Sequence, residues 1–276
     1  MAIISEKGIE SRRATKSGRW YEIIPGDPYP SVTTILGIVN KPAIGPWMAK
    51  MERLAVMSVA ADMYEEMNKA LVARSNITRD VYLSLLDSRI GKARAGQKDM
   101  EAAGEIGSQA HAMIEWQIRK DIGQKPGKAP DISERALWAF MAYEDWARSV
   151  ELLPLRSEQV VFSHQHRYAG TMDLLAWVVR EGKRQLALID FKTGKAVYSE
   201  AYLQLSAYRQ ALIEMGLETA DVCMVLRLPK IYTDPEFEVV EVTDMDTHFK
   251  AFLSARDLWQ WSYNQEQSYK KKTNKE

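Results

Sequence analysis

Apolar positions follow a strand-like pattern in the second half of the chain, after Pro154. Runs of apolar residues, some alternating with polar ones, lie between turn-forming residues, as is typical of half-buried and buried β-strands. The predicted strands are EQVVFS at 158–163, GTMDLLAWVVR at 170–180, RQLALIDFK at 184–192, DVCMVLRL at 221–228 and FEVVEVT at 236–242. Helical periodicity at about 199–215 and 244–263 accompanies them. This half of the chain therefore predicts an α/β domain.

The first half of the chain carries a helical composition instead. Residues 46–121 are rich in Ala, Met, Glu, Arg and Leu, which predicts two to four helices with breaks near Asn76 and Gly91. A polar loop follows, and another helix is predicted at 134–150. A helical region thus precedes the predicted sheet.

Glycine and proline punctuate residues 18–45, which predicts a short hairpin followed by a helix. Ser31 or Thr33 is the expected N-cap of that helix, and donation of either hydroxyl to a phosphate group at the helix N-terminus stays open as a second role. The predicted organisation is an N-terminal hairpin or extension at 1–29, a helical region integral to the fold at 30–150, a core of sheet and helices at 151–264, and a basic flexible tail at 265–276.

Composition excludes several classes of protein. Lysine plus arginine and aspartate plus glutamate each total 37, so bulk positive charge does not hold this chain to nucleic acid. A single cysteine, Cys223, excludes a disulfide framework and a four-cysteine iron–sulfur cluster. No apolar run has the length of a membrane span, and the first residues lack the apolar stretch of a secretory signal. We expect a protein of the cytoplasm, in a bacterium or a phage-infected cell.

The turn between the second and third strands aligns two acidic residues. Its only turn signal is Glu181-Gly182, which sets Arg180 opposite Lys183. Counting outward from that pair brings Asp173 directly opposite Asp190. Cross-strand neighbours lie roughly 5 Å apart at Cβ, where like charges destabilise a sheet. Two such carboxylates at the rim of a buried sheet predict a cation between them.

The preceding turn, HQHR at 164–167, aligns a third carboxylate. With Ser163 opposite Tyr168, the same counting places Glu158 beside Asp173. A shift of one residue in either loop destroys this alignment.

Strand periodicity puts Asp190 and Lys192 on one face, with Ile189 and Phe191 on the other. The lysine therefore points toward the predicted carboxylate site, where a cation positions water or neutralises charge on a phosphate. Oxygen ligands favour Mg²⁺ or Mn²⁺ over softer metals. A salt-bridge ladder on the protein surface is the alternative interpretation of these charges.

These residues resemble the PD-(D/E)XK nuclease superfamily, and most of all its RecB-like exonuclease branch, which includes the mitochondrial genome maintenance exonuclease and phage relatives. The resemblance rests on five stretches in the family's order: PSVTTIL at 30–36, Gly107-Ser-Gln-Ala-His111, GTMD ending at Asp173, DFKTG starting at Asp190, and QLSAY at 204–208. It implies a restriction-endonuclease-like αβββαβ core with a mixed central sheet, and a helical region that covers the active face.

The resemblance also implies roles for individual residues. His111, Asp173, Asp190 and the Phe191 carbonyl are the implied ligands of Mg²⁺ or Mn²⁺, and Lys192 positions or activates the attacking water. The implied supporting or DNA-binding residues are Gln204, Tyr208 and Thr193, with Glu158 as the acidic residue of the first core strand. The cysteines that bind an iron–sulfur cluster in some members are absent, so no cluster is expected.

The predicted function is a metal-dependent DNA exonuclease that acts on free ends of linear or single-stranded DNA in replication, recombination or repair. A protein partner from replication or recombination is a further expectation. Two alternatives stay open at this point. One is a structure-specific endonuclease on the same fold, and the other is a catalytically silent scaffold that binds nucleic acid.

Overall fold

The computed structural model describes residues 12–15, 18–39, 41–42, 44–72, 78–90, 95–231, 234 and 236–273. These residues form two compact units. The larger unit falls within Met1–Val39 and Ile106–Glu276, and the smaller one within Asn40–Glu105. The predicted helix breaks at Asn76 and Gly91 lie outside the described residues.

The N-terminal hairpin predicted from Gly and Pro is part of a small antiparallel sheet. Its strands are β1 (Arg12–Thr15), β2 (Gly18–Ile24) and β3 (Asp27–Pro30), and the short helix α1 (Val32–Leu36) follows. The Ser31 side chain accepts a hydrogen bond from the Thr34 N–H at 2.9 Å. Ser31, which is one of the two predicted candidates, is therefore the N-cap of α1.

Helices occupy the predicted stretch before the core sheet. They are α2 (Ile44–Val72), α3 (Arg79–Ile90), α4 (Ala95–Asp121) and α5 (Glu134–Ser149). The Ser133 hydroxyl caps α5 by accepting a hydrogen bond from the Ala136 N–H. The helical interpretation of this region is confirmed. None of the helices in the described part of the chain is long and apolar enough to cross a membrane.

The larger unit is built on a five-stranded mixed sheet. Its elements are β4 (Leu153–Ser163), β5 (Tyr168–Arg180), β6 (Lys183–Thr193), α6 (Glu200–Glu214), β7 (Val222–Leu228), β8 (Glu238–Glu241) and α7 (Met245–Thr273). The strands lie in the order β4-β5-β6-β7-β8, and β7 runs parallel to β6 after the α6 crossover, while all other neighbours are antiparallel. The run from α5 to β7 is the predicted αβββαβ order, so the restriction-endonuclease-like α/β fold is confirmed.

Helices cover both faces of this sheet because its central strands are apolar on both sides. On one face, α1, α6 and α7 pack on strand residues such as Leu175, Leu188 and Val225. On the other face, α5 and the second half of α4 pack on residues such as Ile189 and Leu226. Burial on both faces leaves the strand ends as the places where charged side chains reach solvent.

Two predicted boundaries were wrong. β4 begins at Leu153 rather than at 158. Its added residues are exposed or half-buried and include Pro154, a residue that is unusual inside a strand. α7 ends at Thr273 rather than near Tyr263. The described side chains of its extension are mostly exposed, so the extension lacks an apolar face, but Gln, Glu and Lys are good helix formers and continue the helix. Residues 265–273, assigned to a basic tail from the sequence, are therefore helical.

A glycine allows α6 to lie close to β5. A Cβ on Gly170 would come within 2.4 Å of Tyr208 Cε1. We predict that Gly170→Ala lowers the free energy of unfolding by about 1–3 kcal/mol, because the buried ring has to shift. Chemical denaturation followed by circular dichroism measures this change.

Gly104→Ala is the matched control. Gly104 lies inside α4, and a Cβ there meets no atom within 4 Å. This change should stabilise the protein by about 0.5–1 kcal/mol. Equal effects of the two substitutions would contradict the close packing of Tyr208 on β5.

Candidate active site

The strand registers bring the predicted carboxylates together. The β5–β6 ladder runs to Leu174 opposite Ile189, in the register predicted from the Glu181-Gly182 turn. Asp173 and Asp190 are the next residues on the two strands. The Asp173 side chain turns toward β6, where its Oδ2 accepts the N–H of Phe191 at 2.7 Å.

The β4–β5 ladder also keeps its predicted register. Its pairs Ser157–Leu174 and Gln159–Met172 lie on either side of Glu158 and Asp173. Glu158 itself has a positive φ of 48°, which is uncommon for a residue with a side chain. The ladder is thus locally distorted at the position where two carboxylates oppose each other.

The same distortion changes which face each β5 residue points to. Met172 and Leu175 belong to the apolar cluster on the α6 side, whereas Leu174 belongs to the cluster on the α5 side. Regular alternation would put Met172 and Leu174 on one face. The alternation therefore slips by one residue at Asp173, and this slip was not predictable from the apolar pattern.

Three side chains form a group with metal-ligand spacing. One donor atom each of His111, Glu158 and Asp173 lies within 4.8 Å of the others. His111 and Asp173 are mostly covered, with 29% and 12% of their side chains exposed. The group lies where β4, β5 and α4 meet.

Hydrogen bonding fixes the orientation of the His111 ring. Its Nε2 lies 3.1 Å from the Phe191 carbonyl oxygen, and its Nδ1 lies 3.8 Å from Asp173 Oδ1. When Nε2–H donates to the carbonyl, Nδ1 keeps its lone pair and faces the carboxylates. Donation of the second ring N–H to a backbone carbonyl is the usual arrangement of a metal-binding histidine.

Gly107 lies one turn before His111 on α4, where a side chain would not fit. Residues four apart share a helix face, so Gly107 and His111 both face the end of β6. A Cβ on Gly107 would lie 2.8 Å from Thr193 Oγ1. The bare glycine therefore lets α4 lie close to β6, which brings the imidazole to the Phe191 carbonyl.

Asp190, Lys192 and Gln204 form a second group, in which Asp190 and Gln204 are buried and Lys192 is half-buried. Lys192 Nζ lies 2.6 Å from Asp190 Oδ2 and donates to Gln204 Oε1 at 3.2 Å. The Gln204 amide in turn donates to Asp190 Oδ1 at 2.8 Å. Asp190 and Lys192 thus share a face, as predicted, and Gln204 from α6 holds both.

Burial and charge act in opposite directions on these groups. Burial raises the pKa of Asp190 to about 6, against the opposing effect of the Lys192 ammonium. Burial alone lowers the pKa of Lys192, but the charges of Asp190 and Asp173 outweigh it, so the net shift is upward. The lysine therefore stays a cation beside two carboxylates.

Tyr208 closes this group on the α6 side. Its hydroxyl oxygen accepts a hydrogen bond from Gln204 Nε2 at 3.2 Å. Burial, followed by the charges of Asp190 and Asp173, raises the pKa of Tyr208 well above its ordinary value. The phenol therefore stays neutral and supports Gln204.

The donor set fits a hard divalent cation. It combines carboxylate oxygens with one imidazole, and Mg²⁺ and Mn²⁺ favour such ligands. Among the described residues, Asp190 Oδ2 is the buried side-chain oxygen that lacks a hydrogen-bond partner, although the Lys192 ammonium lies next to it. This oxygen is therefore paired by charge with the lysine.

Ser31 and Thr33 belong to a separate hydrogen-bonding group. Their hydroxyls lie 3.0 Å apart at the start of α1, and Ser31 Oγ also donates to Thr34 Oγ1. Ser31 is buried, which favours the capping role, whereas Thr33 is exposed. A contact of either residue with DNA stays a prediction.

Arg227 is a site neighbour that sequence reasoning missed. It lies on β7 directly beside Lys192, and 1% of its side chain is exposed. Its Nε donates to Glu238 Oε2 at 3.1 Å, and its Nη1 donates to the Gly194 carbonyl at 3.3 Å. The signal in the sequence was a lone arginine inside the apolar strand DVCMVLRL.

Comparisons with known proteins find structural similarity over part of the chain. No family model and no curated protein matches the chain. Among solved structures, the crystal structure of SSO0001 matches with a TM-score of 0.28 and 13% identity, over 47% of this chain and 60% of that chain. An alkaline exonuclease from Laribacter hongkongensis, LHK-Exo, matches with a TM-score of 0.30 and 11% identity, over 60% of this chain and 92% of that chain. The interpretation of the site rests on its own geometry.

A cation that binds the carboxylate group should stabilise the folded protein. We predict that Mn²⁺ at a hundredfold excess over its Kd raises the free energy of unfolding by about 2.7 kcal/mol, because it binds only the folded site. Asp173→Asn should remove this gain and change the stability of the metal-free protein little, because relief of repulsion with Glu158 offsets the lost attraction to Lys192. Thermal unfolding with Mn²⁺ or EDTA measures both effects.

Asp131→Asn is the control, because Asp131 is an exposed aspartate of the same unit. It should keep the full Mn²⁺-dependent shift. A shift retained in Asp173→Asn would place the cation elsewhere.

Proposed function

We propose that this protein is a divalent-cation-dependent deoxyribonuclease that acts as an exonuclease on free ends of linear or single-stranded DNA. The observation that carries the proposal is the convergence of His111, Glu158 and Asp173 next to the Asp190–Lys192 pair. A metal-ligand group beside a positioned lysine is suited to hydrolysis of phosphodiesters, which needs an activated water and neutralised phosphate charge.

In this proposal His111, Glu158 and Asp173 hold the cation. Asp190, whose Oδ2 pairs with Lys192, is a further ligand, as the resemblance implies. The Phe191 carbonyl, which the resemblance gives as a ligand, lies beside the imidazole of His111. When bound, Mg²⁺ or Mn²⁺ supplies Lewis-acid polarisation of the phosphoryl oxygen and lowers the pKa of a bound water.

Lys192 acts as a fixed positive charge at the reacting phosphate. Its ammonium is held by Asp190 and Gln204, and 35% of its side chain is exposed, so one face is open to a substrate. From there the ammonium orients the attacking water and stabilises negative charge on the phosphate. Gln204, supported by Tyr208, fixes the positions of the Lys192 and Asp190 side chains relative to each other.

DNA is the proposed substrate, and work in replication, recombination or repair in a bacterial or phage-infected cell is the proposed setting. The zero net charge fits an enzyme that grips a short segment rather than one that coats a duplex. Partner proteins in those processes are part of the same proposal.

A panel of three substrates tests the activity. End-labelled single-stranded DNA, end-labelled linear duplex and closed circular DNA are incubated with Mg²⁺, Mn²⁺ or EDTA. The proposal expects degradation of linear DNA with either metal, intact circles, and no cleavage in EDTA. Nicked circles would instead support an endonuclease, and binding without any cleavage would support a silent scaffold.

Loss of the lysine tests the site itself. We predict that Lys192→Met lowers kcat by about 10²- to 10⁴-fold, because the positioned charge at the phosphate is lost. Lys183→Met, at the exposed turn of the same hairpin, should keep normal activity. Single-turnover cleavage of linear DNA measures both variants, and full activity in Lys192→Met would show that the site is misassigned.

A further inference from the structure

The loop between β6 and α6 begins at Gly194, two residues after Lys192, and carries an exposed lysine and an exposed tyrosine. Lys195 is exposed, and Tyr198 has 62% of its surface exposed. An exposed cation and an exposed aromatic ring, three residues apart, are the two kinds of group that hold single-stranded nucleic acid.

The start of this loop is fixed to the neighbouring strand. The Gly194 N–H donates to the Leu228 carbonyl at 3.2 Å, and the Gly194 carbonyl accepts from Arg227 Nη1 at 3.3 Å. Burying an arginine is costly unless its charge is paired, and Glu238 pairs with it here. Arg227 is therefore a buried anchor that positions the loop just after Lys192.

The end of the loop is fixed to the start of α6. The Tyr198 carbonyl accepts the Ala201 N–H at 3.0 Å, and six residues after Tyr198 comes Gln204, which contacts Lys192. The backbone of Tyr198 is thus fixed at the start of the helix that carries Gln204, while its ring stays exposed.

Both side chains lie close to the candidate site along the chain. Lys195 and Tyr198 follow Lys192 by three and six residues, so their Cα atoms lie within about 11 Å and about 22 Å of that of Lys192. A DNA strand with a phosphate at Lys192 that continues past this loop would meet the Tyr198 ring with a base and Lys195 with a phosphate.

We propose that Tyr198 and Lys195 form a subsite for the single-stranded end of a DNA substrate, next to the nucleotide that carries the reacting phosphate. The inference rests on the proposed nuclease function and adds the strand-binding residues to it. Tyr198 stacks on a base, and Lys195 binds a backbone phosphate. Because bases inside a duplex are already stacked on their neighbours, this subsite favours single-stranded over duplex ends.

Binding without cleavage tests the subsite. The probe is a fluorescent single-stranded oligonucleotide in Ca²⁺, checked on a gel for integrity, with fluorescence anisotropy as the readout. Tyr198→Ala should raise Kd roughly 5- to 150-fold, and Tyr198→Trp should restore binding, because any aromatic face stacks. Lys195→Ala should reduce the slope of log Kd against log salt by about 0.7.

Matched controls separate this subsite from general surface effects. Tyr269→Ala removes another exposed tyrosine, on α7, and Lys183→Ala removes another exposed lysine, and both should bind like the wild type. Oligonucleotides with one abasic nucleotide, placed at successive positions from each end, identify the stacked base. At that position, wild type and Tyr198→Ala should bind equally.

Two results would overturn the inference while leaving the nuclease proposal intact. One is wild-type affinity in Tyr198→Ala, and the other is a Tyr198→Trp variant that binds as weakly as Tyr198→Ala. If the wild-type protein neither binds nor cleaves any of the DNA substrates, both the subsite and the nuclease function are overturned.

Discussion

Repulsion between carboxylates is the constraint on which this site depends. Glu158, Asp173 and Asp190 occupy neighbouring positions on three adjacent strands, where like charges destabilise the sheet. Asp190 is buried, which raises its pKa to about 6 even with Lys192 beside it. Apolar residues at these three positions would stabilise the fold more than the acids do, so stability alone does not explain why the acids are there. The arrangement makes physical sense when a cation joins the carboxylates, and the imidazole of His111 completes the donor set that such a cation would need.

The sheet and the helices packed on it keep the carboxylates close together despite their mutual repulsion. Both faces of the sheet are apolar, so the strands leave the core only at their ends, and the charged residues collect there. α4 approaches the end of β6 through Gly107 and delivers the imidazole to the Phe191 carbonyl. α6 packs over Gly170 from the other face and delivers Gln204 to Asp190 and Lys192. Two glycines thus set how closely α4 approaches β6 and α6 approaches β5.

Much of this arrangement followed from local rules in the sequence. The Glu181-Gly182 turn has few alternatives, so the register of β5 and β6 was predictable, and with it the opposition of Asp173 and Asp190. Alternation also placed Asp190 and Lys192 on one face. The slip at Asp173 was not predictable, because the φ of Glu158 depends on the packing of both strands. The role of Arg227 was not predictable either, because its partners Gly194 and Glu238 are distant in sequence and come together only in the folded sheet.

The position of the cation tests the central claim most directly. Crystals grown with Mn²⁺ and measured at the manganese absorption edge locate the ion by its anomalous scattering, without any assumption about activity. The account predicts a peak within about 2.5 Å of a His111 ring nitrogen and of carboxylate oxygens of Asp173 and Glu158. A peak at any other place, or no peak at these residues under saturating Mn²⁺, would contradict it.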